Sequence, residues 1–468
     1  MLEKIGQFII EAADIMGGYP LFFLLIGGGL FLFIRSGAVS LRRLPAAISE
    51  LRRKPSGGSA EGQISSVQAL ASVVAATIGL GNIAGVAIAL VLGGPGSIFW
   101  MWVSALVGMA TKYHEGVLAI MYKGTDDRGN PQGGPMHIIE KGLGPKWKPL
   151  AVFFAVAGLF GTMCIMNANQ LTEAFITTFT TPEGLQSNVF LSNIGAYIGL
   201  DNTGVYRLIF GIVISAIVAV VILGGIKRIA SVATIMVPFM VGLYFLMVLY
   251  IIVTNLSGVP GVFKSIFTEA FNLKAGFGAL AGIAIIGARR AALVNDAGIG
   301  TASLMHGASR NNEPVREGLV AMLGPSIDSG LVCTLTAIAI LLCGNTDIEG
   351  VKGLEVAMKA FSAGIPGGDM LLMCIVICFA MSSMFSYSFY GTTCANYLFG
   401  TRFGKYYVWA YLASLVIFSV VPIEAAVGAC DLFYALMAIP TMIALLLLSP
   451  KVNKATRQFF DKENTKKK

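Results

Sequence analysis

The sequence predicts an all-α polytopic membrane protein, and three observations carry that prediction: composition, the spacing of apolar runs and the placement of basic residues. Of 468 residues, 56% are hydrophobic and only 12% are charged, against roughly a quarter charged in a soluble domain. A water-facing globule has too little interior for so much apolar side chain, so lipid is the solvent it fits. A bilayer core takes about 20 apolar residues per helix. Apolar runs lie near residues 15–34, 66–92, 97–121, 150–170, 207–223, 229–253, 275–299, 318–343, 370–395, 406–421 and 426–448, and these are predicted helices 1 to 11. The corner Val421-Pro422-Ile423-Glu424 separates the last two. The 56 glycines suit close packing of membrane helices.

Eleven spans place alternate loops on opposite sides. Of the 33 Lys and Arg residues, 25 fall in one set of loops and the C-terminal tail, Lys112 among them, and six in the other set. The remaining two, Arg289 and Arg290, lie inside helix 7. Basic loops stay in the cytosol, so the N-terminus is expected outside and the C-terminus inside, in the cell membrane. The net charge of +8 then reads as a topology signal and a lipid head-group contact, and nucleic acid is not expected as a partner. The acidic residues Glu3, Glu11 and Asp14 ahead of the first apolar run do not resemble the basic start of a signal peptide. All seven cysteines lie in or beside apolar runs, as reduced packing residues do.

Helix 2 carries Gly79-Leu80-Gly81-Asn82 near its midpoint. Glycine lowers helix propensity, and a helix opened at bilayer depth exposes backbone groups that lipid cannot satisfy. The opening is therefore expected to face a cavity or ligand. The formal match Gly79-x-Gly81-x-x-Ala84 to a dinucleotide fingerprint has no preceding strand and is discounted. Helix 7 repeats the signal with Gly276, Gly278, Gly282 and Gly287, then Asn295, Asp296 and Gly298. Helices 2 and 7 lie five spans apart and run in opposite directions, which predicts a five-plus-five inverted repeat with a discontinuous first helix in each half. A single transmembrane domain over residues 1–450 is expected: an extra helix at 15–34, a first repeat at 66–253 and an inverted second repeat at 275–448. Residues 451–468 are expected as a basic cytoplasmic tail.

The segments Asn82-Ile-Ala-Gly-Val, Gly93-Gly-Pro-Gly-Ser-Ile-Phe-Trp-Met-Trp102, Gly108-Met-Ala-Thr-Lys, Gly133-Gly-Pro-Met136, Asn295-Asp-Ala-Gly298 and Glu313-Pro-Val-Arg-Glu-Gly-Leu-Val-Ala-Met-Leu323 closely resemble the alanine or glycine:cation symporter family. The resemblance runs from about residue 60 to 400 in the same order. It implies a leucine-transporter-like fold and sodium-coupled uptake of a small neutral amino acid by alternating access, with Na+ as coupling ion and no enzymatic activity.

Under that reading, the outer half of helix 2 presents its positive dipole end and the N–H groups of Leu80, Gly81 and Asn82, beside Gly79, to a substrate carboxylate. Carbonyls freed between Gly278 and Gly287, around Gly282, are expected to receive the ammonium. Sodium requires hard oxygens, and the inner half of helix 2 ends in carbonyls from Ala75 to Ile78. By analogy with the fold, Ser382 and Ser383 of helix 9 complete the sodium site; the competing reading has each hydroxyl bonded to its own helix. Asn167 stands where the family commonly has a substrate-facing Gln, Tyr387 where much of it has Trp, and Leu80 where it often has Thr. Asn167, Asn169 and Gln170 are expected near the end of helix 4, and Asn167, Gln170 and Tyr387 at the substrate. Arg289, Arg290 and Asp296 are ionisable groups inside a span, and their expected role is an ion-paired inner gate, against snorkelling of at least one arginine.

His114-Glu115 opens like a zinc-protease motif, but Leu118 occupies the second ligand position. His137 and His306 are expected to be solvated on inner loops. Proton coupling, or a larger or more polar neutral amino acid, is the alternative within the same fold. An intramembrane enzyme needs a nucleophile with its base or a metal cluster in the spans, which the sequence lacks. A channel needs a continuous polar lining.

Overall fold

The computed structural model describes residues 19–52, 63–163, 165–271, 277–343, 353–421 and 423–466, with Ala12, Ile15 and Met16. Among the described residues, each of the eleven apolar runs contains helix. They are α1 (Tyr19–Arg35), α2a (Ser66–Thr77) with α2b (Gly81–Gly93), α3 (Gly96–Met121), α4 (Pro145–Phe179) and α5 (Asn202–Ile222). There follow α6 (Gly225–Thr254), α7a (Phe277–Val294) with α7b (Thr301–His306), α8 (Pro314–Cys343), α9 (Gly368–Gly404), α10 (Tyr407–Val420) and α11 (Ile423–Lys466). Among the described residues, six helices are by themselves long and apolar enough to cross a bilayer, and the bent α2 pair makes a seventh. Ile212, Val213, Ile217 and Val220 of α5, with Ile235, Phe239 and Leu246 of α6, turn large apolar side chains outward. In water that surface costs free energy; in lipid it is the expected exterior.

α3 is buried over most of its length and packs against α7a and the first turns of α8, while α2a packs between α6 and α9. α2a starts at a capping box in which the Ser65 hydroxyl accepts from the Gln68 N–H and the Gln68 side chain accepts from the Ser65 N–H. It stops at Thr77 because Ile78 is extended (φ −73°, ψ 93°), and the two halves meet at a 58° bend.

The opening of helix 7 lies elsewhere than the glycine count predicted. α7a runs unbroken from Phe277 to Val294, and the chain opens over residues 295–300, where Asp296 (φ 51°), Gly298 (φ 90°) and Gly300 (φ 100°) take left-handed backbone. A glycine inside a helix costs only about 1 kcal/mol and is repaid by close packing. At Gly287, an added Cβ would stand 2.1 Å from the Ser97 carbonyl oxygen. Gly287 thus lets α7a touch α3 and does not mark a break.

Expectations for α4, Lys112 and two histidines also change. α4 is interrupted around Thr162 and resumes at Ile165 through Phe179, so Asn167, Asn169 and Gln170 sit in the first turns of a helix and not at its end. The basic tail is helical to Lys466, with Val452, Phe459 and Phe460 buried. Lys112, counted among the inner-loop basics, is fully buried within α3. His306 and His137 are buried instead of solvated; His137, on the short helix Pro135–Gly142, packs its ring over Gly124, and burial pushes its imidazole down to about 4.

Candidate functional site

The break in α2 is braced from within. The Asn82 carboxamide oxygen accepts from the Gly79 N–H at 2.9 Å, and the Asn82 N–H donates to the Gly79 carbonyl at 3.1 Å. The same side chain donates to Asp328 Oδ1 at 3.4 Å, and Thr336 donates to the Asn82 carbonyl at 3.1 Å. Both partners lie on α8, so the start of α2b is anchored to that helix. Asn82 is fully buried and serves as a brace, which leaves Leu80 and Gly81 as the first amides of α2b.

α9 meets the other side of the break. Ser382 Oγ lies 3.0 Å from the Ala75 carbonyl, and Ser383 Oγ lies 2.9 Å from that of Ala76 and 3.3 Å from that of Ala75. Each hydroxyl also reaches the Phe379 carbonyl of its own helix, at 3.0 and 3.1 Å. Two buried hydroxyls and the last carbonyls of α2a therefore converge where that half-helix presents its negative dipole end. Ile78 is buried at the same end. Asn167 joins the group: a Cβ on Gly79 would contact Ser383 Oγ at 3.1 Å and Asn167 Oδ1 at 3.6 Å. Gly79, Asn167 and Ser383, drawn from α2, α4 and α9, thus share one small volume.

The opening of α7 faces the same region, because a Cβ on Gly81 would meet Val294 at 3.4 Å. Asp296 takes its positive φ there and accepts from the hydroxyls of Tyr387 and Thr301. Tyr434 of α11 donates in turn to Tyr387 at 2.6 Å. The N–H of Gly298 donates to Glu115 of α3 at 2.7 Å. Thr441 of α11 donates to the Ile299 carbonyl at 3.0 Å, so α3, α9, α11 and the following α7b hold the opened segment through polar bonds, as required of backbone away from water.

Two expected placements are not realised, those of Gly282 and of the two arginines. Gly282 lies inside the continuous α7a, and a Cβ there would meet no atom within 4 Å. Gln170 is half-buried in the same helix as Asn167. Arg289 and Arg290 form no ion pair with Asp296 among the described residues; Asp296 is turned to Tyr387 and Thr301, and the acid that interacts electrostatically with Arg290 is Asp431. Asn169 has an architectural role, donating to the carbonyls of Phe418 and Val421 at the end of α10.

A family model for the sodium:alanine symporter family matches residues 2–468. The chain belongs to that family. Its relatives include the sodium/alanine symporter AgcS of Methanococcus maripaludis, 39% identical over 93% of each chain. The amino-acid carrier protein AlsT of Bacillus subtilis is 32% identical over 94% of this chain and 89% of its own. A probable sodium/glutamine symporter of the same bacterium, GlnT, is 30% identical over 98% and 91%. The fold is also that of a manganese transporter from Eremococcus coleocola, with a TM-score of 0.52 at 13% identity over 85% of this chain and 79% of that one. This family member thus shares its fold with that transporter, and the chain is a multi-pass membrane protein of a transporter family, not an enzyme.

Two features of this symporter family member were not foreseen. Lys112 sits in the interior within electrostatic range of Glu115, Asp296 and Asp328, and its Nζ has no hydrogen-bond partner among the described residues. The sequence signal was Lys112 three residues before Glu115, one helical turn, which loop counting hid. The second feature lies where α2a begins: Glu317 binds His306 Nδ1 at 2.6 Å, Ser66 Oγ at 2.6 Å and Ser309 Oγ at 3.0 Å. It ties α2a to the segment after α7b, which also pairs Ile64 with Ser309 through the backbone.

Proposed function

We propose that the chain imports a small neutral amino acid of the alanine or glycine class together with sodium, by alternating access around the α2 break. The observation that carries the reading is the convergence of Ser382 and Ser383 on the carbonyls of Ala75 and Ala76. Such an all-oxygen, uncharged donor set suits a hard monovalent cation. Ala75, Ile78, Ser382 and Ser383 are its ligands in this proposal. A substrate carboxylate is held beside Gly79 by the amides of Leu80 and Gly81, with Asn82 keeping the break open, and Asn167 bounds the side-chain end. Tyr387 acts there through its bond to Asp296. The relatives named for sodium, alanine and glutamine support the class. Uptake of a panel of radiolabelled amino acids by proteoliposomes tests it: saturable uptake of alanine or glycine is expected, and a panel with no transported member would reject it.

Asn167 is one methylene shorter than Gln, so Asn167→Gln should favour the smallest substrates. In an apolar pocket a methylene shifts discrimination by about 1–3 kcal/mol, so alanine-to-glycine preference should move toward glycine by roughly tenfold or more in competition uptake. An unchanged ranking would make Asn167 a packing residue.

The orientation proposed is N-terminus outside and C-terminus inside, on the basic-residue asymmetry. Single cysteines placed between residues 255 and 271 should react with an impermeant maleimide added to intact cells, and those at residues 42–52 should not. The reverse pattern would invert the topology.

A proton-coupled variant of the mechanism is favoured by one observation, the set Glu115, Asp296 and Asp328 around the single Lys112 in the interior. Three carboxyl groups with one amino group provide sites for protons near the substrate, whereas the serine and carbonyl oxygens do not.

A further inference from the structure

The helical tail gives the excess of basic residues a location. Where α11 continues past Pro450 it runs beside the end of α1, and the Asn453 side chain donates to the Arg35 carbonyl at 3.0 Å. Thr456 and Tyr113 of α3 share a hydroxyl bond of 2.7 Å, and Phe459 and Phe460 are buried. The extension is therefore docked against the body of the protein. Between it, α1 and the short helix Val39–Arg42 lies a cleft of about 380 Å³ lined by Arg35, Arg42, Arg43 and Arg457, with Asp461 as its acid. An adjoining cleft shares Arg35, Asn453 and Arg457 and adds Lys454. Arg43 is held in place by the face of Phe460, 3.6 Å from the ring centre. None of the four arginines has a carboxylate within 4.0 Å among the described residues. Four guanidinium groups around one cavity repel each other unless an anion joins them, and the guanidinium fork matches phosphate oxygens.

The rim of the cleft distinguishes between anions. α1 has no charged residue from Tyr19 to Ile34, and Leu30, Phe31 and Ile34, in the two turns that lead to Arg35, are 45%, 44% and 67% exposed. Ile34 itself lines the cleft. An apolar wall thus leads straight into a basic cavity at the end of a membrane helix.

We infer that this cleft is a binding site for the phosphate head group of an anionic lipid, whose acyl chains lie along the exposed face of α1. Basic pockets at helix ends on the cytoplasmic leaflet have the charge for such head groups. The shared chemistry, a phosphate-bearing anion, also describes free phosphate, but a free ion gains nothing from the apolar wall.

The test uses the full chain purified in detergent, with lipid retention read by native mass spectrometry. Phosphatidylglycerol should be retained, phosphatidylcholine of the same chain length should not, and inorganic phosphate should not displace the retained lipid. Arg42→Gln with Arg457→Gln, both exposed side chains, should weaken phosphatidylglycerol retention at least tenfold. Arg402→Gln with Lys405→Gln, exposed basic residues elsewhere, should leave it unchanged. Equal retention by the cleft variant and the parent, or equal retention of phosphatidylcholine, would overturn the site. Displacement of the lipid by millimolar phosphate, lost in the cleft variant, would overturn the lipid and assign the cleft to the free anion.

Discussion

Replacing Ser382 or Ser383 by alanine is expected to raise the sodium concentration for half-maximal uptake by about tenfold to a hundredfold, while uptake at saturating sodium stays close to the parent's. Each hydroxyl offers one oxygen to a cation that also uses the carbonyls at the end of α2a. A bond to a charged group is worth about 1.5–3 kcal/mol, which sets that range. The double variant should need more sodium than either single one. The competing structural role also has a signature. If the hydroxyls only bond α9 to itself and to α2a, their loss lowers thermal stability and leaves the sodium requirement where it was. Sodium titrations of uptake alongside unfolding curves in detergent separate the two.

The second large effect is expected at Lys112. Met has nearly the length of Lys and fills the same space, so Lys112→Met removes the basic group with little change in packing. Breaking up a buried charge set by removing one partner costs about 3–5 kcal/mol, and Glu115, Asp296 and Asp328 would be left without their cation. Thermal unfolding in detergent should show a clear loss of stability, and transport should fail. Adding Asp328→Asn, which removes one carboxylate and keeps the bond to Asn82 possible, should recover part of that stability. A Lys112→Met protein as stable as the parent would mean that these carboxyl groups are already protonated in the resting protein, which would favour protons as a coupling ion.

Helical character was readable because lipid imposes a length and an apolar composition on every span, and among the described residues each apolar run contains helix. The α2 break was readable for a related reason: two glycines and an asparagine at midspan leave few other uses for those residues. α7 was harder. Its glycines serve two purposes that look alike in sequence, close packing at Gly287 and left-handed backbone at Gly298 and Gly300, and only the contact with Ser97 separates them. Asp296 misled in the same way. An acid near two arginines suggests an ion pair, yet a positive φ turns it to Tyr387 on a helix 91 residues away in sequence. Charge in a sequence suggests solvent and so places Lys112 and His306 in loops, whereas both are buried, His306 bonded to Glu317 and Lys112 one helical turn from Glu115. Serine clusters and amides could be named but not matched, since which carbonyl Ser383 meets depends on how α9 crosses α2a.

Coupling to sodium is addressed most directly by initial uptake of labelled alanine, glycine and glutamine into proteoliposomes at identical pH on both sides, under an inward gradient of sodium or of choline. Rapid accumulation of alanine or glycine is expected with sodium and only background uptake with choline. Equal uptake in the two salts would contradict sodium coupling and remove the role assigned to Ala75, Ile78, Ser382 and Ser383.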